Sequence, residues 1–250
     1  MRALLRSVIY ANRRLSSKLQ AWFPHARVGP EVNSYISAIR RYVSGSGQVV
    51  IDTGGGARCL FAGVVPHNTR IISVDISRAE LSLNKNVHET VVADVTSHIP
   101  VEDASADVVA SCYLMEHLRG ADGYVSEAAR VLKPGGAFIC LFPNKYALFS
   151  LINRFMPYRV SRAVLLTLKG SANHFPAFYE SCSPREFKRL LRKHRLAVAA
   201  ETYHYYQSDY FDWFAPLYLL SCLYEAIASS LGAENLSAFS LIVATKPLPR

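Results

Sequence analysis

The sequence predicts an α/β protein built on a doubly wound, Rossmann-like sheet of seven strands. The sheet is expected to be mostly parallel, with an antiparallel C-terminal strand and helices on both faces. Three observations support this fold: short apolar runs recur along the chain, helical segments alternate with them, and a glycine cluster follows the first run. The runs are VVI, RIISVD, ETVVAD, ADVVAS and AFICLF, at residues 49–51, 70–75, 89–94, 106–111 and 137–142. Apolar runs this short are typical of strands buried on both faces. Their alternation with helices predicts crossover connections and a parallel sheet.

Helices are predicted between these strands, over residues 58–64, 78–85 and 124–132. In the last third, Ser183-Pro184-Arg185-Glu186 places Ser at the N-cap, Pro at the first helical position and Glu at the capping-box position. This start predicts a helix that continues to about Arg195. Strand candidates follow at Ala197–Tyr205 and Ala238–Thr245. Between them, the apolar run within Tyr210–Leu231 is shorter than the roughly 20 residues that a membrane-spanning helix needs, so no spanning helix is expected.

The composition is that of a folded globular protein with a basic excess: 250 residues, 50% hydrophobic and 19% charged, with a net charge of +9. Such an excess favours anionic partners: nucleic acid, an acidic membrane surface or a phosphorylated substrate. The basic residues form two clusters, one before Glu31 and one in the predicted helix after Ser183. They are Arg2, Arg6, Arg13, Arg14, Lys18 and Arg27, and then Arg185, Lys188, Arg189, Arg192, Lys193 and Arg195.

The N-terminal segment has helical periodicity. Its apolar residues Leu4, Val8, Leu15, Leu19 and Trp22 recur at roughly helical spacing, with basic residues between them. A helix packed on the catalytic domain is the favoured interpretation. A membrane-surface helix and an organelle transit segment are the alternatives.

The five cysteines are scattered singly, without a CxxC pair or a Cys/His cluster. This spacing indicates neither a zinc site nor a disulfide framework, and no metal is expected. An odd, dispersed set of cysteines fits a reducing compartment, and charged residues break up any secretory signal. The expected location is the cytoplasm, with peripheral membrane contact through the basic N-terminus as an open alternative.

A ligand-binding turn is predicted where the first strand ends, in VVIDTGGGARC. Asp52 precedes Gly54, Gly55 and Gly56, and Asp75 ends the next strand about 20 residues later, where a carboxylate accepts from ribose hydroxyls in nucleotide-binding sheets. The dinucleotide pattern GxGxxG requires glycine where Cys59 stands, which argues against a dehydrogenase. S-adenosylmethionine, which has an adenosine but no pyrophosphate, is the alternative cofactor.

With this set of residues the chain resembles the class I methyltransferases, in the branch that modifies small molecules, lipids and sugars. The matching features are the Asp52 turn, Asp75, Asp94, the strand Asp107–Ser111, the pair Glu116-His117 and the turn Leu132-Lys-Pro-Gly-Gly136. The match covers about Val49 to Asn144. The family usually has glycine where Arg58 stands, so Arg58 either alters the loop's cofactor contact or reaches the cofactor's carboxylate.

The resemblance implies S-adenosylmethionine as the cofactor and a role for each matching residue. Asp52 and Gly54, Gly55 and Gly56 would hold the methionine part, and Asp75 the ribose hydroxyls. Ile76 is also predicted to bind the cofactor. Asp94 would accept from the adenine amino group, with Val95 beside the ring. Arg58, Ser111 and Tyr113 complete the set of predicted cofactor-binding residues. For each carboxylate, a turn or helix cap is the alternative interpretation.

The predicted catalytic residues are His117, as a general base, and His174. His117 follows the fourth strand and has a titration range suited to a base, while packing at a helix start is its alternative role. His174 and Tyr179 lie in the segment where this family often builds an acceptor lid. The chain is expected to be one methyltransferase domain, with residues 1–45 as a helical cap, 46–145 as the cofactor-binding core, and 146–182 and 207–235 as acceptor-lid insertions.

The expected function is O-methylation of a small-molecule, glycan or lipid-linked acceptor. Methyltransferases that act on the amino group of adenine or a similar planar nitrogen carry Asp/Asn-Pro-Pro-Tyr/Phe at the fourth strand. This chain has SCYLMEH there, so such an activity is disfavoured. Nucleic acid is not the expected partner. Two alternatives stay open. One is an RNA methyltransferase that uses the basic faces, and the other is an inactive partner subunit that binds the cofactor.

Overall fold

The computed structural model describes residues 2–22, 30–155 and 175–249. They fall into two compact units. The helical unit contains residues 2–22, 30, 144–155 and 203–239, and the sheet unit contains residues 31–143, 175–202 and 240–249. The interpretation of residues 1–45, 146–182 and 207–235 as cap and lids of a single domain stays a prediction.

A seven-stranded sheet forms the framework, in the order β3-β2-β1-β4-β5-β7-β6. Its strands are β1 Val49–Thr53, β2 Arg70–Asp75, β3 Glu89–Val92, β4 Ala106–Cys112, β5 Leu132–Pro143, β6 Ala197–His204 and β7 Phe239–Thr245. The pairs among β1 to β5 are all parallel. Near its start β5 bonds to Lys246, beyond the end of β7, and after its end Asn144 N–H donates to Ala238 O, before the start of β7. Strand β7 is therefore antiparallel, and the predicted sheet is confirmed.

The sheet unit also holds the helices that accompany these strands. They are α2 Pro30–Tyr42, α3 Arg78–Leu81, α4 Ala121–Val131 and α6 Pro184–Lys193, which follows α5 Leu148–Phe155 of the helical unit. Helix α6 begins as the capping residues predict, because Ser183 Oγ accepts from the Glu186 N–H and contacts the Glu186 carboxylate. It ends at Lys193 rather than Arg195, since Arg195 has a positive φ of 58°.

The helix predicted over residues 58–64 is wrong: the segment is a series of bends and turns. The side chain of Asn86 donates to the Cys59 carbonyl at 2.9 Å and accepts from the Cys59 N–H at 3.3 Å. These two hydrogen bonds take the place of the backbone hydrogen bonds that Cys59 would make in a helix. Local helix propensity did not reveal this contact, because Asn86 is distant in sequence.

The largest of the other boundary differences are at α3 and β5. Helix α3 stops at Leu81 instead of residue 85, and Asn84 instead donates to the carbonyls of Gly55 and Gly56. The predicted turn 132–136 is part of β5, where the register with β4 shifts between Ala106 and Val108. The extra residues form an irregularity within the strand. Its sequence, Lys-Pro-Gly-Gly, is also typical of a loop, so the two cannot be told apart from the sequence.

The helical unit contains α1 Arg2–Gln20, α5 Leu148–Phe155 and α7 Ala215–Ser230. Helix α1 confirms the predicted N-terminal helix. Its Asn12 side chain accepts from the N–H of Ala215, the first residue of α7, and Ser16 Oγ donates to the Asp212 carbonyl. Among the described residues, no helix combines the length and the apolar character needed to cross a membrane.

Candidate functional site

A cavity of about 370 Å³ opens in the sheet unit where β1, β2, β3 and β4 end. The carboxyl ends of parallel strands are the usual place for a ligand in this kind of sheet. Its lining combines a glycine turn, two carboxylates, a histidine and aromatic side chains. The lining residues are Gly54, Asp75, Ile76, Ala93, Asp94, Val95, Thr96, Leu114, His117, Leu118, Arg119, Phe175, Pro176 and Phe178.

The glycine turn after β1 is shaped by close contacts on two sides. Gly54 has φ +68°, and a Cβ there would lie 2.8 Å from Leu114 Cδ1. A Cβ on Gly55 would lie 2.5 Å from Asp52 Oδ2. The Gly54 N–H donates to the Val74 carbonyl at 2.8 Å, which ties the turn to β2. Glycine is therefore required at residues 54 and 55 for the turn to keep this shape beside the cavity.

Asp75 lies at the cavity with both oxygens oriented by backbone N–H groups. Oδ2 accepts from the Gly56 N–H at 3.0 Å and Oδ1 from the Ser77 N–H at 2.8 Å. Each carboxylate oxygen has a second lone pair, so Asp75 retains capacity for a pair of ligand hydroxyls. This arrangement is the one expected for the predicted ribose acid.

Asp94 is the second acid of the lining. Its Oδ1 accepts from the Thr96 N–H at 2.9 Å and from the Thr96 hydroxyl at 2.7 Å. Val95 beside it is buried and also lines the cavity. Asp94 therefore has the turn-forming role that was its alternative interpretation and, at the same time, a place at the cavity.

Three buried carboxyl groups lie on segments next to the end of β4. Asp52 is on β1, which pairs with β4, Glu31 contacts Tyr113, and Glu116 follows the strand. Asp52 Oδ2, Glu31 Oε2 and Glu116 Oε2 accept no hydrogen bond from the described residues. Burial, followed by the charges of Glu116, Asp52 and Glu31, raises the pKa of the Cys112 thiol. Burial also raises the pKa of Asp52 to about 7 and that of Glu116 to about 8. Unpaired buried carboxylate oxygens are costly, so the group is suited to receive a cation.

His117 ends a short 3-10 helix, Met115–His117, that follows β4. Its Nδ1 lies 2.9 Å from the Pro176 carbonyl oxygen, which only accepts, so Nδ1 carries the proton in this contact. In the neutral ring the lone pair is therefore on Nε2, which lies 3.9 Å from Glu116 Oε1. The geometry gives His117 the tautomer that a base acting through Nε2 requires.

Aromatic side chains form the remaining wall. Phe175 packs edge-on against the His117 ring, with centroids 6.1 Å apart, and the Arg119 guanidinium lies 4.1 Å from the centre of the Phe178 ring. The N–H groups of Phe178 and Tyr179 both donate to the Glu116 carbonyl, at 2.7 and 3.1 Å. Tyr179 itself is buried in the core, so it does not present its ring to the cavity.

Some predicted site residues do not line the cavity. Asp52 is buried beside Gly55, Arg58 is exposed, and Ser111 faces the sheet interior, where its hydroxyl contacts Cys140 Sγ at 3.3 Å. Tyr113, at φ +58°, donates its hydroxyl to Glu31 Oε1 at 3.0 Å. His174 lies outside the described residues.

Sequence reasoning missed Glu31, Glu116 as a buried acid, and the phenylalanines of the wall. The sequence offers one indication that Glu116 belongs to the site, which is its position next to His117, the candidate base. For Glu31 there was none, because its contact with Tyr113 joins residues that are 82 positions apart.

A comparison with protein families matches residues 51–140 to the family described as methyltransferase domain. The match contains the glycine turn, Asp75, Asp94 and His117. Residues 51–140 are a class I methyltransferase domain. The predicted family, and S-adenosylmethionine as its cofactor, are confirmed for this domain.

Two curated relatives match parts of the chain. One is the ubiquinone/menaquinone biosynthesis C-methyltransferase of Rubrivivax gelatinosus, 27% identical over 106 residues, with 41% of this chain and 42% of that protein covered. The other is the malonyl-[acyl-carrier protein] O-methyltransferase of Hahella chejuensis, 33% identical over 129 residues, with 48% and 45% covered. The chain thus spans less than half the length of these relatives, and the two methylate different kinds of atom.

Solved structures share the fold of the methyltransferase domain. The putative methyltransferase in complex with the Trm112 activator of Haloferax volcanii superposes with a TM-score of 0.56 at 17% identity, covering 93% of each chain. Phosphoethanolamine N-methyltransferase 2 of Haemonchus contortus, in complex with S-adenosyl-L-methionine, gives 0.54 at 15% identity, covering 86% of this chain and 52% of that one. At these identities the likeness establishes the fold alone.

Proposed function

We propose that the chain is an S-adenosylmethionine-dependent methyltransferase that methylates a hydroxyl oxygen of a small-molecule, glycan or lipid-linked acceptor. One observation carries the proposal: a single cavity is lined by Gly54, Asp75, Asp94 and His117. A glycine turn, two acids suited to an adenosine and a candidate base thus meet in one place.

The charges around the cavity favour this cofactor over a dinucleotide. S-adenosylmethionine carries an ammonium and a sulfonium cation, whereas a dinucleotide carries an anionic pyrophosphate. Asp75 and Asp94 line the cavity, and the buried carboxyl oxygens of Asp52 and Glu116 that lack partners belong to residues within two positions of the lining residues Gly54 and His117. These acidic groups fit a cation better than a pyrophosphate. Asp75 would hold the ribose hydroxyls and Asp94 the adenine amino group.

Bound S-adenosylmethionine would supply a methyl group attached to a positively charged sulfur. A nucleophile attacks the methyl carbon, and the sulfur leaves as a neutral thioether. The chain's own contribution is to position the acceptor and to remove its proton. His117 Nε2 takes the proton of the acceptor hydroxyl, while the Pro176 carbonyl holds the ring through Nδ1. The Glu116 carboxyl lies 3.9 Å away and stabilises the resulting imidazolium once it has lost its own proton, which burial holds to a pKa of about 8. Phe175 and Phe178 shield this end of the cavity from water.

The acceptor class rests on the need for a base. A hydroxyl acceptor must lose a proton on methylation. The tautomer of His117 that the Pro176 contact favours has its lone pair on Nε2, which can take that proton. The basic face of α6 gives less support to an RNA acceptor, because Lys188 pairs with Glu201 and Lys193 with Asp122, both at 2.8 Å.

Calorimetric titration with S-adenosylmethionine and, separately, with NADH tests the cofactor. We expect saturable binding of the first alone. Asp75→Ala should weaken that binding by about 1–3 kcal/mol, the cost of unpaired ribose hydroxyls, whereas Glu102→Ala, a change at an exposed acid, should not. Equal affinity in the Asp75 and Glu102 variants would refute the ribose role.

Turnover against a panel of hydroxylated acceptors tests the base. His117→Ala should lower kcat by about 100-fold or more while the cofactor affinity stays within a factor of two. His67→Ala, at an exposed histidine, is the matched control. Full activity of the His117 variant would remove it as the base, and cofactor binding without turnover until a second protein is added would favour the inactive-subunit alternative.

A further inference from the structure

The outward face of α7 carries a row of exposed aliphatic side chains, and Ser229 and Ser230 are exposed at its C-terminal end. Leu219, Leu220, Leu223 and Ile227 are 37%, 58%, 47% and 60% exposed, and Leu231 just beyond the helix is 71% exposed. Leu220, Leu223, Ile227 and Leu231 recur at helical spacing, so they form one stripe. The helix has one charged residue, Glu225, and it is buried against Gln207, Ser208 and Ser221. A large aliphatic stripe without charge is unusual on a water-facing helix.

Helix α1 of the same unit combines basic and apolar exposed residues. It has no acidic residue, and Arg14 and Lys18 are exposed. Val8, Leu15 and Trp22 follow one another at intervals of seven, and all three are at least half exposed. The helix is anchored beside the start of α7 by Asn12, Ser16 and the ion pair of Arg13 with Asp212.

We propose that the helical unit docks on the surface of a lipid bilayer with anionic headgroups, through the outward face of α7 and the exposed residues of α1. Aliphatic side chains and a tryptophan beside arginine and lysine are the combination that partitions into the headgroup region of a bilayer. Charge complementarity selects this occupant. A second copy of the chain would bring the cationic α1 helices together, whereas anionic headgroups attract them.

The dimensions fit a helix that lies in the interface. Sixteen residues of α7 span about 24 Å at 1.5 Å per residue. The buried Glu225 and its serine partners keep the other face of α7 in the protein. The helix therefore presents one apolar side to the lipid and does not cross it.

Vesicle co-flotation of the full chain tests the proposal. The probes are vesicles of phosphatidylcholine alone and of phosphatidylcholine with about 30% phosphatidylglycerol. We expect the protein to float with the anionic vesicles, and binding to weaken at least tenfold in 0.5 M salt. Leu220→Gln with Leu223→Gln and Ile227→Gln should weaken binding at least tenfold, as should Arg14→Gln with Lys18→Gln.

Matched controls separate this surface from general hydrophobicity and charge. Leu60→Gln with Leu83→Gln and Leu248→Gln changes the same kind of exposed side chain in the sheet unit. Arg185→Gln with Arg189→Gln removes two exposed charges from α6. Both controls should bind as the parent chain does, and circular dichroism should show that all four variants are folded.

Three results would overturn the proposal. The first is absence of flotation with anionic vesicles at low salt. The second is equal loss of binding in the control variants. The third is a concentration-dependent dimer that the α7 variants abolish while vesicle binding is absent, which would assign the face to a second copy of the chain.

Discussion

The buried carboxyl of Glu116 makes the stability of the protein depend on pH in a direction opposite to that of an ion-paired acid. Burial raises its pKa from 4.5 to about 8 in the folded chain. A group whose folded pKa is raised contributes its stability below the unfolded pKa and loses it as the pH rises through the folded pKa. Over pH 6 to 7.5 the folded chain holds a proton that the unfolded chain has released, so Glu116 alone lowers the free energy of unfolding by roughly 1.4 kcal/mol per pH unit.

Glu116→Gln removes this dependence while keeping the shape of the side chain. We expect the variant to match the parent near pH 5 and to be more stable by roughly 3–5 kcal/mol near pH 8.5, from a shift of about 3.5 units at 1.36 kcal/mol each. Urea denaturation followed by circular dichroism at half-unit pH steps measures the difference. Asp52, with a folded pKa of about 7, adds its own slope mainly below pH 7, and this slope is common to the parent and the Glu116 variant, so the difference between them reports Glu116.

Glu102→Gln is the matched control, since Glu102 is exposed and the chemical change is the same. Its free energy of unfolding should follow that of the parent at every pH. Parallel curves for the parent and the Glu116 variant between pH 7 and 8 would refute the assignment of Glu116 as a neutral buried acid.

Three more predictions concern the cofactor site and the framework. The affinity for S-adenosylmethionine should rise from pH 6 to 8 as Asp52 and Glu116 lose their protons to face a cation, and calorimetry of Asp52→Asn should show a flatter profile; a parent affinity independent of pH would contradict this. Gly54→Ala should destabilise the fold by about 1–3 kcal/mol and weaken cofactor binding, because its Cβ meets Leu114 at a positive φ; Gly63→Ala, whose Cβ would meet open space, should do neither in thermal melts and titrations. Arg130→Gln should cost about 1–3 kcal/mol in urea denaturation, because its guanidinium joins Glu127, Asp103 and the carbonyls of Val101 and Ile99. Arg70→Gln, at an exposed ion pair with Glu89, should cost less than about 1 kcal/mol, and equal losses would refute the stabilising role of the Arg130 network.

The fold followed from the sequence because its indications are local. A strand buried on both faces is apolar throughout, so Arg70–Asp75 was predicted with the bounds that the structure has. The start of α6 likewise depends on neighbours three residues apart, Ser183 and Glu186. The segment 58–64 was mistaken for a helix because Asn86 bonds to Cys59 from 27 positions away.

The candidate site divides in the same way. Asp75, Asp94, Gly54 and His117 follow strand ends, and parallel strands bring their carboxyl ends to one edge, so their meeting at one cavity could be inferred from sequence order. The direction of each side chain could not. Ser111 faces Cys140 because successive residues of a strand point to opposite sides, and its face depends on where the strand sits in the sheet.

The family of the core domain, its cofactor and the acids at the strand ends could be predicted from the sequence, because they depend on residue type and on short spacings along the chain. The buried carboxyl oxygens without partners, the nitrogen of His117 that carries the proton and the exposed aliphatic side chains of α7 became apparent only in the folded chain. Those properties arise from contacts between distant residues and from burial, and neither is encoded in any single stretch of sequence.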